Sequence, residues 1–250
     1  MPEVNVSQLT RQLIDIPSES GSEAAVGQFL ASYLEGLEAG GTSPANAANA
    51  YDVLAPAISK QKEIGIRDSY FKGLSVSASY FDITRANAVT DPTTNIFGYS
   101  GNIVYKGVEA TVSYNFLRDW TINTAALWLD AVQNSPVQPL INGKIPESTA
   151  KWNGNIGLQY RAPWLSGLTL RGGARLISER PVNPQDQGFI PGYTLYDIGA
   201  SYGTRIGGRR ATFQVTIDNL ANKRYWNSVT TGTYGIGMDR SVKFSAKLDF

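Results

Sequence analysis

From about residue 58 to the end of the chain, apolar and polar positions alternate with a period of two. Ile64 and Ile66 stand between Glu63, Gly65 and Arg67. Val108, Ala110, Val112, Tyr114 and Phe116 stand between Glu109, Thr111, Ser113 and Asn115. The last stretch runs Val242, Phe244, Ala246, Leu248 and Phe250 against Ser241, Lys243, Ser245, Lys247 and Asp249. A period of two sends each set to its own face of a β-strand. The pattern recurs around 74–80, 152–161, 168–176, 196–202 and 212–218, and less cleanly at 120–130, which predicts about nine strands of roughly ten residues each. Strands of soluble proteins average only about five to six residues. A tilted membrane crossing needs about nine to eleven.

The connections alternate in length. Those at 117–119, 162–166 and 205–209 are short, and those at 84–102, 131–149, 179–192 and 222–240 are long. Short turns on one rim and long loops on the other are the pattern of an outer-membrane barrel. Trp120, Trp152, Tyr160, Trp164, Tyr193, Tyr225 and Trp226 fall near predicted strand ends, where interface girdles form. The expectation is therefore an all-β chain, a fragment of an antiparallel transmembrane β-barrel with about nine to ten strands. Its apolar row faces lipid. Arg171 and Arg175, two steps apart on one face, are candidate lumen-facing residues, as are Lys243 and Lys247. A soluble β-sandwich binding module with the polar face in water remains the alternative.

The first residues follow another rhythm. Leu9, Leu13 and Ile16 have helical spacing, and Ser20 to Glu23 reads as a capping box. Val26, Phe29, Leu30, Tyr33, Leu34 and Leu37 form a stripe at three- and four-residue steps. The spacing predicts a helix over about 23–36, stopped at Gly40-Gly41. Residues 1–38 are thus expected as a helical segment and 39–250 as the barrel part. The latter begins with a small, polar linker at 39–57.

Composition narrows the function. The chain has 22 basic and 21 acidic residues, so no net field favours nucleic acid. Cysteine and histidine are both absent. That excludes, within these residues, a Ser-His-Asp triad, a Cys-His pair and a His-ligated zinc site. No catalytic, metal or cofactor residues are expected, and the chain reads as a non-enzyme. No run of eighteen apolar residues suggests a transmembrane helix. The start has neither a basic nor an apolar leader region, so no secretory signal is read there and poor export is expected.

Several ordered stretches resemble the C-terminal half of a TonB-dependent outer-membrane receptor of the siderophore type. They are YLEGLEAGGTSP at 33–44, LAPAISKQKEIGIR at 54–67, SASYFDITRANAV at 77–89 and YKGVEATVSY at 105–114. IPESTAKWNGNIGLQY at 145–160, FIPGYTLYDIGASY at 189–202 and VTIDNLANKRYW at 215–226 continue the series, followed by a strand ending on Phe250. The resemblance implies a 22-stranded barrel with a plugged lumen in the cell outer membrane. It implies uptake of a ferric siderophore, with the TonB complex, the barrel-assembly machinery and outer-membrane lipid as partners. Phe250, Leu248 and Phe244 would form the barrel-assembly signal. No plug, TonB box or first half of the barrel is read in this chain, so these residues alone are not expected to transport. Residues 8–37 carry a second resemblance, to the opening of zinc aminoacylase/carboxypeptidase-type peptidases. It suggests a composite chain, and an inactive peptidase relic is the remote alternative.

Overall fold

The structure, a computed structural model, describes residues 28–69, 71–230 and 232–249. The strands are β1 (Gln28–Glu38), β2 (Ala57–Asp68), β3 (Leu74–Thr90), β4 (Phe97–Tyr114), β5 (Trp120–Asn134), β6 (Trp152–Arg161) and β7 (Leu168–Ile177). They continue with β8 (Arg180–Pro181), β9 (Phe189–Ile190), β10 (Tyr193–Ile206), β11 (Arg209–Asp218), β12 (Trp226–Thr230), β13 (Thr233–Ile236) and β14 (Ser241–Leu248). Ten of them build one sheet in the order β1-β2-β3-β4-β5-β6-β7-β10-β11-β14. Every neighbouring pair in it is antiparallel. The pairs β8–β9 and β12–β13 are small hairpins inside the loops. The described residues hold no helix long and apolar enough to cross a membrane.

The expected helix is not formed from Gln28 onward. Residues 28–38 are strand β1, paired with β2 from Gln28↔Arg67 to Glu38↔Ala57. A short isolated helix is marginal in water, and a neighbouring strand offers every backbone group a partner, so the ladder overrides the local spacing. Gly40 is not a helix stop. It sits in the β1–β2 loop, where a Cβ would collide with the Leu54 carbonyl. Residues before Gln28, with the predicted helix at 7–16, the capping box and most of the peptidase-like stretch, lie outside the described residues.

The expected loop at 84–102 is also mostly ladder. β3 and β4 run on as one long hairpin, closed by Asp91–Ile96. Its register shifts between Ala86 and Ala88, a bulge that the even alternation hides. All other long connections lie on one rim, and the turns between β4 and β5, β6 and β7, and β10 and β11 lie on the opposite one. Gly167, in the β6–β7 turn, has φ +91 and lies against the Gly203 carbonyl of β10. Gly167→Ala is expected to destabilise the fold by more than about 1 kcal/mol, read as a lower urea midpoint.

Register makes the two faces explicit. One row runs Val242, Ile217, Ile198, Gly172, Leu158, Ile122, Tyr114 and Leu74 from β14 to β3. The next includes Phe244, Val215, Ala200, Leu170, Tyr160 and Trp120. These apolar rows are open: Phe244 is 71% exposed and Ile198 42%. A soluble sandwich needs a second sheet about 10 Å away over such a face. No sheet covers it among the described residues, so the sandwich alternative falls.

The apolar face has a measurable height. Trp120 stacks with Tyr160 at 4.5 Å near the short-turn rim, and Trp128 faces Trp152 at 6.5 Å towards the long-loop rim. Eight residues of β5 separate the pairs, about 27 Å along the strand. A tilt of about 35–45° reduces that to roughly 20 Å, close to the apolar band of about 25 Å between aromatic girdles. The first outward charged row, Asp130, Lys106, Asp82 and Lys62, comes immediately beyond Trp128. Lys106 pairs with Asp82 there at 3.3 Å.

Most of the buried residues lie in the long loops and at the strand ends that meet them. Ile141, Ile190, Tyr193, Val229 and Ala131 are the buried apolar residues of the loop side, together with Gln133, Ser135, Arg180 and Asn219.

Candidate functional site

Two surfaces are built for contact: the rim of long loops and the polar face of the sheet.

On the rim, each loop is bonded to the next. The 39–56 loop meets the β3–β4 turn through Asn49, whose Nδ2 donates to Phe97 O at 3.0 Å and whose Oδ1 accepts from Phe97 N at 2.8 Å. Asn95 Nδ2 returns a bond to Asn46 O at 2.9 Å. The β3–β4 hairpin is tied onward by Gln138 Nε2, which donates to Thr90 O at 2.5 Å. Gln133 is buried at the end of β5. Its Nε2 donates to Ile145 O at 3.1 Å and to Pro184 O at 2.8 Å, joining the β5–β6 and β7–β10 loops. Ile145 N donates to Asp186 Oδ2 at 3.0 Å across the same seam.

The last seam is closed by Arg180. Its two terminal nitrogens donate to Asn227 O and Trp226 O, both at 2.7 Å, and its guanidinium lies 5.7 Å from the Tyr193 ring centre. Tyr193 packs on Tyr225 at 4.3 Å. Asn219 holds the loop's return: its Nδ2 donates to Lys223 O at 2.8 Å and to Met238 O at 3.0 Å. Five loops thus form one bonded belt. At the β3–β4 tip, the Thr93 amide donates to Asp91 at 2.8 Å and holds that carboxyl below the usual carboxylate range.

Tyr193 and Tyr225 therefore belong to the loop core and not to a lipid girdle. Their place near strand ends is right and their surroundings differ, because Arg180 covers Tyr193. Sequence reasoning missed Gln133 and Arg180, which lie where the alternation has ended. Asn219 stands inside the 215–226 stretch, so a signal for it was present.

The polar face collects the four predicted charges. Lys243 opposes Thr216, Gly199 follows across β10, and Arg171 follows across β7, all in one row. Arg175 lies four residues further along β7, on the same face, and lines, with Asp197, Asp218, Tyr225 and Lys243, a hollow of about 270 Å³. Lys247 is on the same side of β14 as Lys243. Lys243 pairs with Asp218 at 2.6 Å and Lys247 with Asp249 at 2.9 Å. Phe244 and Leu248 stand on the opposite, apolar face, the latter 39% exposed. Phe250 lies outside the described residues.

Comparison with known proteins adds a lineage to this geometry. The family described as "TonB dependent receptor-like, beta-barrel" matches residues 21–220. The chain is 30% identical over 195 residues to the ferrichrome receptor FcuA of Yersinia enterocolitica, a match covering 77% of the chain and 26% of that protein. It is 28% identical over 205 residues to the ferrioxamine B receptor of Salmonella typhimurium, covering 80% and 29% respectively. The crystal structure of BauA, the ferric preacinetobactin receptor of Acinetobacter baumannii, superposes with TM-score 0.75 at 27% identity, over 89% of this chain and 34% of that one. The matches thus span 26–34% of the relatives' own lengths.

Proposed function

Because the chain belongs to the TonB-dependent receptor β-barrel family, we propose that it forms part of the wall of an outer-membrane receptor that takes up a ferric siderophore. The observation that carries this is the two-faced ten-strand meander. An uncovered apolar band of membrane height lies between aromatic pairs, with polar and charged residues behind it. The band faces outer-membrane lipid. The polar face, with Arg171, Arg175, Lys243 and Lys247, looks into the lumen. The bonded loops form the outer rim, where a ligand arrives. The names of the relatives support a siderophore: one is a ferrichrome receptor and another a ferrioxamine B receptor.

The receptor binds and moves its ligand without changing it chemically. TonB energises the movement, and the assembly machinery reads Phe244, Leu248 and Phe250 on the last strand. Within the described residues, β1 and β14 end the sheet and do not pair with one another. Ten strands expressed alone would expose two long edges, which template aggregation. The pairing of β1 with β2 and a family match starting at residue 21 support placing any junction with foreign, peptidase-like sequence before Gln28. Sequencing reads that run unbroken from codon 1 to codon 45 in the source organism would support a natural fusion, and a break there an artefact.

The uptake reading is tested in a strain deleted for its siderophore receptors and carrying the complete reading frame that contains these residues. Growth on ferrichrome or ferrioxamine B as sole iron source is the expected result. Growth on no ferric siderophore, with the protein present in the outer membrane, overturns it.

A further inference from the structure

The polar face of the sheet changes charge from one end to the other. Near the short turns it carries Arg67, Arg161, Arg171, Arg205, Arg210 and Lys247. Arg161 ends β6, and Arg67, Arg205 and Lys247 are each the last residue but one of their strands. Arg210 is the second residue of β11 and Arg171 the fourth of β7. Arg205 and Arg210 face one another across the β10–β11 ladder, where like charges destabilise the pairing. Few carboxylates accompany them. Asp249 pairs with Lys247 at 2.9 Å, Asp119 stands beside Arg118 in the β4–β5 turn, and Asp68 lies on the opposite face. The five arginines are exposed and form no ion pair among the described residues. Further towards the long loops the balance reverses. There Arg85 pairs with Glu38 at 3.0 Å and Lys243 with Asp218 at 2.6 Å, which leaves Glu63, Glu109 and Asp197 against Arg175 on the same face.

Exposed cations spread over six strands do not make a fixed binding site. They act as a field on a dissolved ion, with a reach of about 8 Å at physiological ionic strength. Passages lined by one sign of charge concentrate ions of the other sign, and arginine and lysine rings are how pores select anions. Resting on the uptake reading above, we propose that the short-turn end of the lumen selects for anions where the ligand leaves, so that the ferric siderophore carried is one with a net negative charge. An anion moving from the loops to the short turns passes from a slightly acidic stretch of wall to a basic one. A cation meets the reverse sequence and is held back. Because the arginines are solvated and far from the loop rim, they set the rate of passage and leave capture at the outer surface unchanged.

The test uses the receptor expressed from its complete reading frame in a strain deleted for its own siderophore receptors. Radiolabelled iron is supplied as ferrioxamine B, whose chain ends in an ammonium, and as its N-succinyl derivative, which ends in a carboxylate and keeps the same iron-binding groups. Surface affinity is measured in de-energised cells and maximal uptake rate in energised ones. The succinyl derivative is expected to be carried about tenfold faster at saturation, the lower end of what focusing by one sign of charge achieves. Raising the ionic strength from about 0.02 M to about 0.3 M is expected to shrink that ratio, since screening shortens the reach of the field. Arg161→Gln/Arg171→Gln/Arg205→Gln/Arg210→Gln, with folding checked by heat-modifiable gel mobility, is expected to bring the two rates within about twofold at unchanged surface affinity. The same four positions changed to Lys, and Lys60→Gln/Lys62→Gln on the opposite face, are expected to keep the parent ratio. Equal rates for the two probes in the parent overturn the inference, as does a ratio insensitive to salt. A folded glutamine variant with the parent ratio, or one altered only in surface affinity, overturns it too. A parent that carries neither probe but supports growth on another ferric siderophore overturns the inference and leaves the uptake reading standing. Growth on none, with the protein in the outer membrane, overturns both.

Discussion

An arginine at position 156 is expected to destabilise the membrane-inserted fold by about 2–4 kcal/mol, whereas one at position 123 changes it by less than about 1 kcal/mol. Ile156 pairs with Thr124 of β5 and Ala174 of β7 on the apolar face. Thr124 stands four residues from Trp120 and four from Trp128, so Ile156 lies midway between the aromatic pairs. A charge there must either enter hydrocarbon or deform the bilayer. Asn123 is the adjacent residue of β5 but points to the other face, opposite Ser113 and Gly157. Its replacement disturbs one exposed bond from Ser113 Oγ. Urea titration of the receptor folded in lipid vesicles measures both. Equal losses at the two positions would refute the assignment of lipid and lumen faces, because neighbours on a strand differ only in the side they face.

The second large effect belongs to Arg180. Removing its guanidinium by Arg180→Ala leaves the Asn227 and Trp226 carbonyls without their donor and uncovers the Tyr193 ring. Hydrogen bonds from a charged group contribute about 1.5–3 kcal/mol each, so the loop seam should lose about 3 kcal/mol or more. The loss is local, since the main ladder does not pass through Arg180. Amide exchange over the β12–β13 hairpin, Trp226 to Ile236, should accelerate by about a hundredfold, and cleavage within that hairpin should appear under limiting protease. Arg180→Lys should fall between, because an ammonium cannot serve two carbonyls in fixed fork geometry. Unchanged exchange in the alanine variant would show that the belt does not depend on this residue.

Strands were legible wherever a period of two met regular pairing. The β4 and β11 faces follow directly from the alternation around Val112 and Val215. Legibility failed where pairing outran the pattern. Beyond Arg85 the β3–β4 hairpin carries a bulge, and Ala86, Asn87 and Ala88 do not alternate cleanly, so a long ladder reads as a loop. It failed again at 28–36, where apolar residues at three- and four-residue steps suit a helix until β2 supplies a partner. The arginines at 171 and 175 were legible as one face. That three more, from β6, β10 and β11, share their face needed the register of the strands between them.

By itself, then, the sequence determined an all-β chain of long strands, with a lipid-type face and a polar face, joined by turns of alternating length. Those properties are local, because side-chain alternation is a consequence of strand geometry alone. Only the tertiary structure decided which strands meet and which loops bond. It turned the last helical-looking residues into β1 and placed Tyr193 under Arg180. Those features depend on residues distant in the chain, such as Arg180 and Asn227 or Gln133 and Pro184, which no window of local sequence brings together.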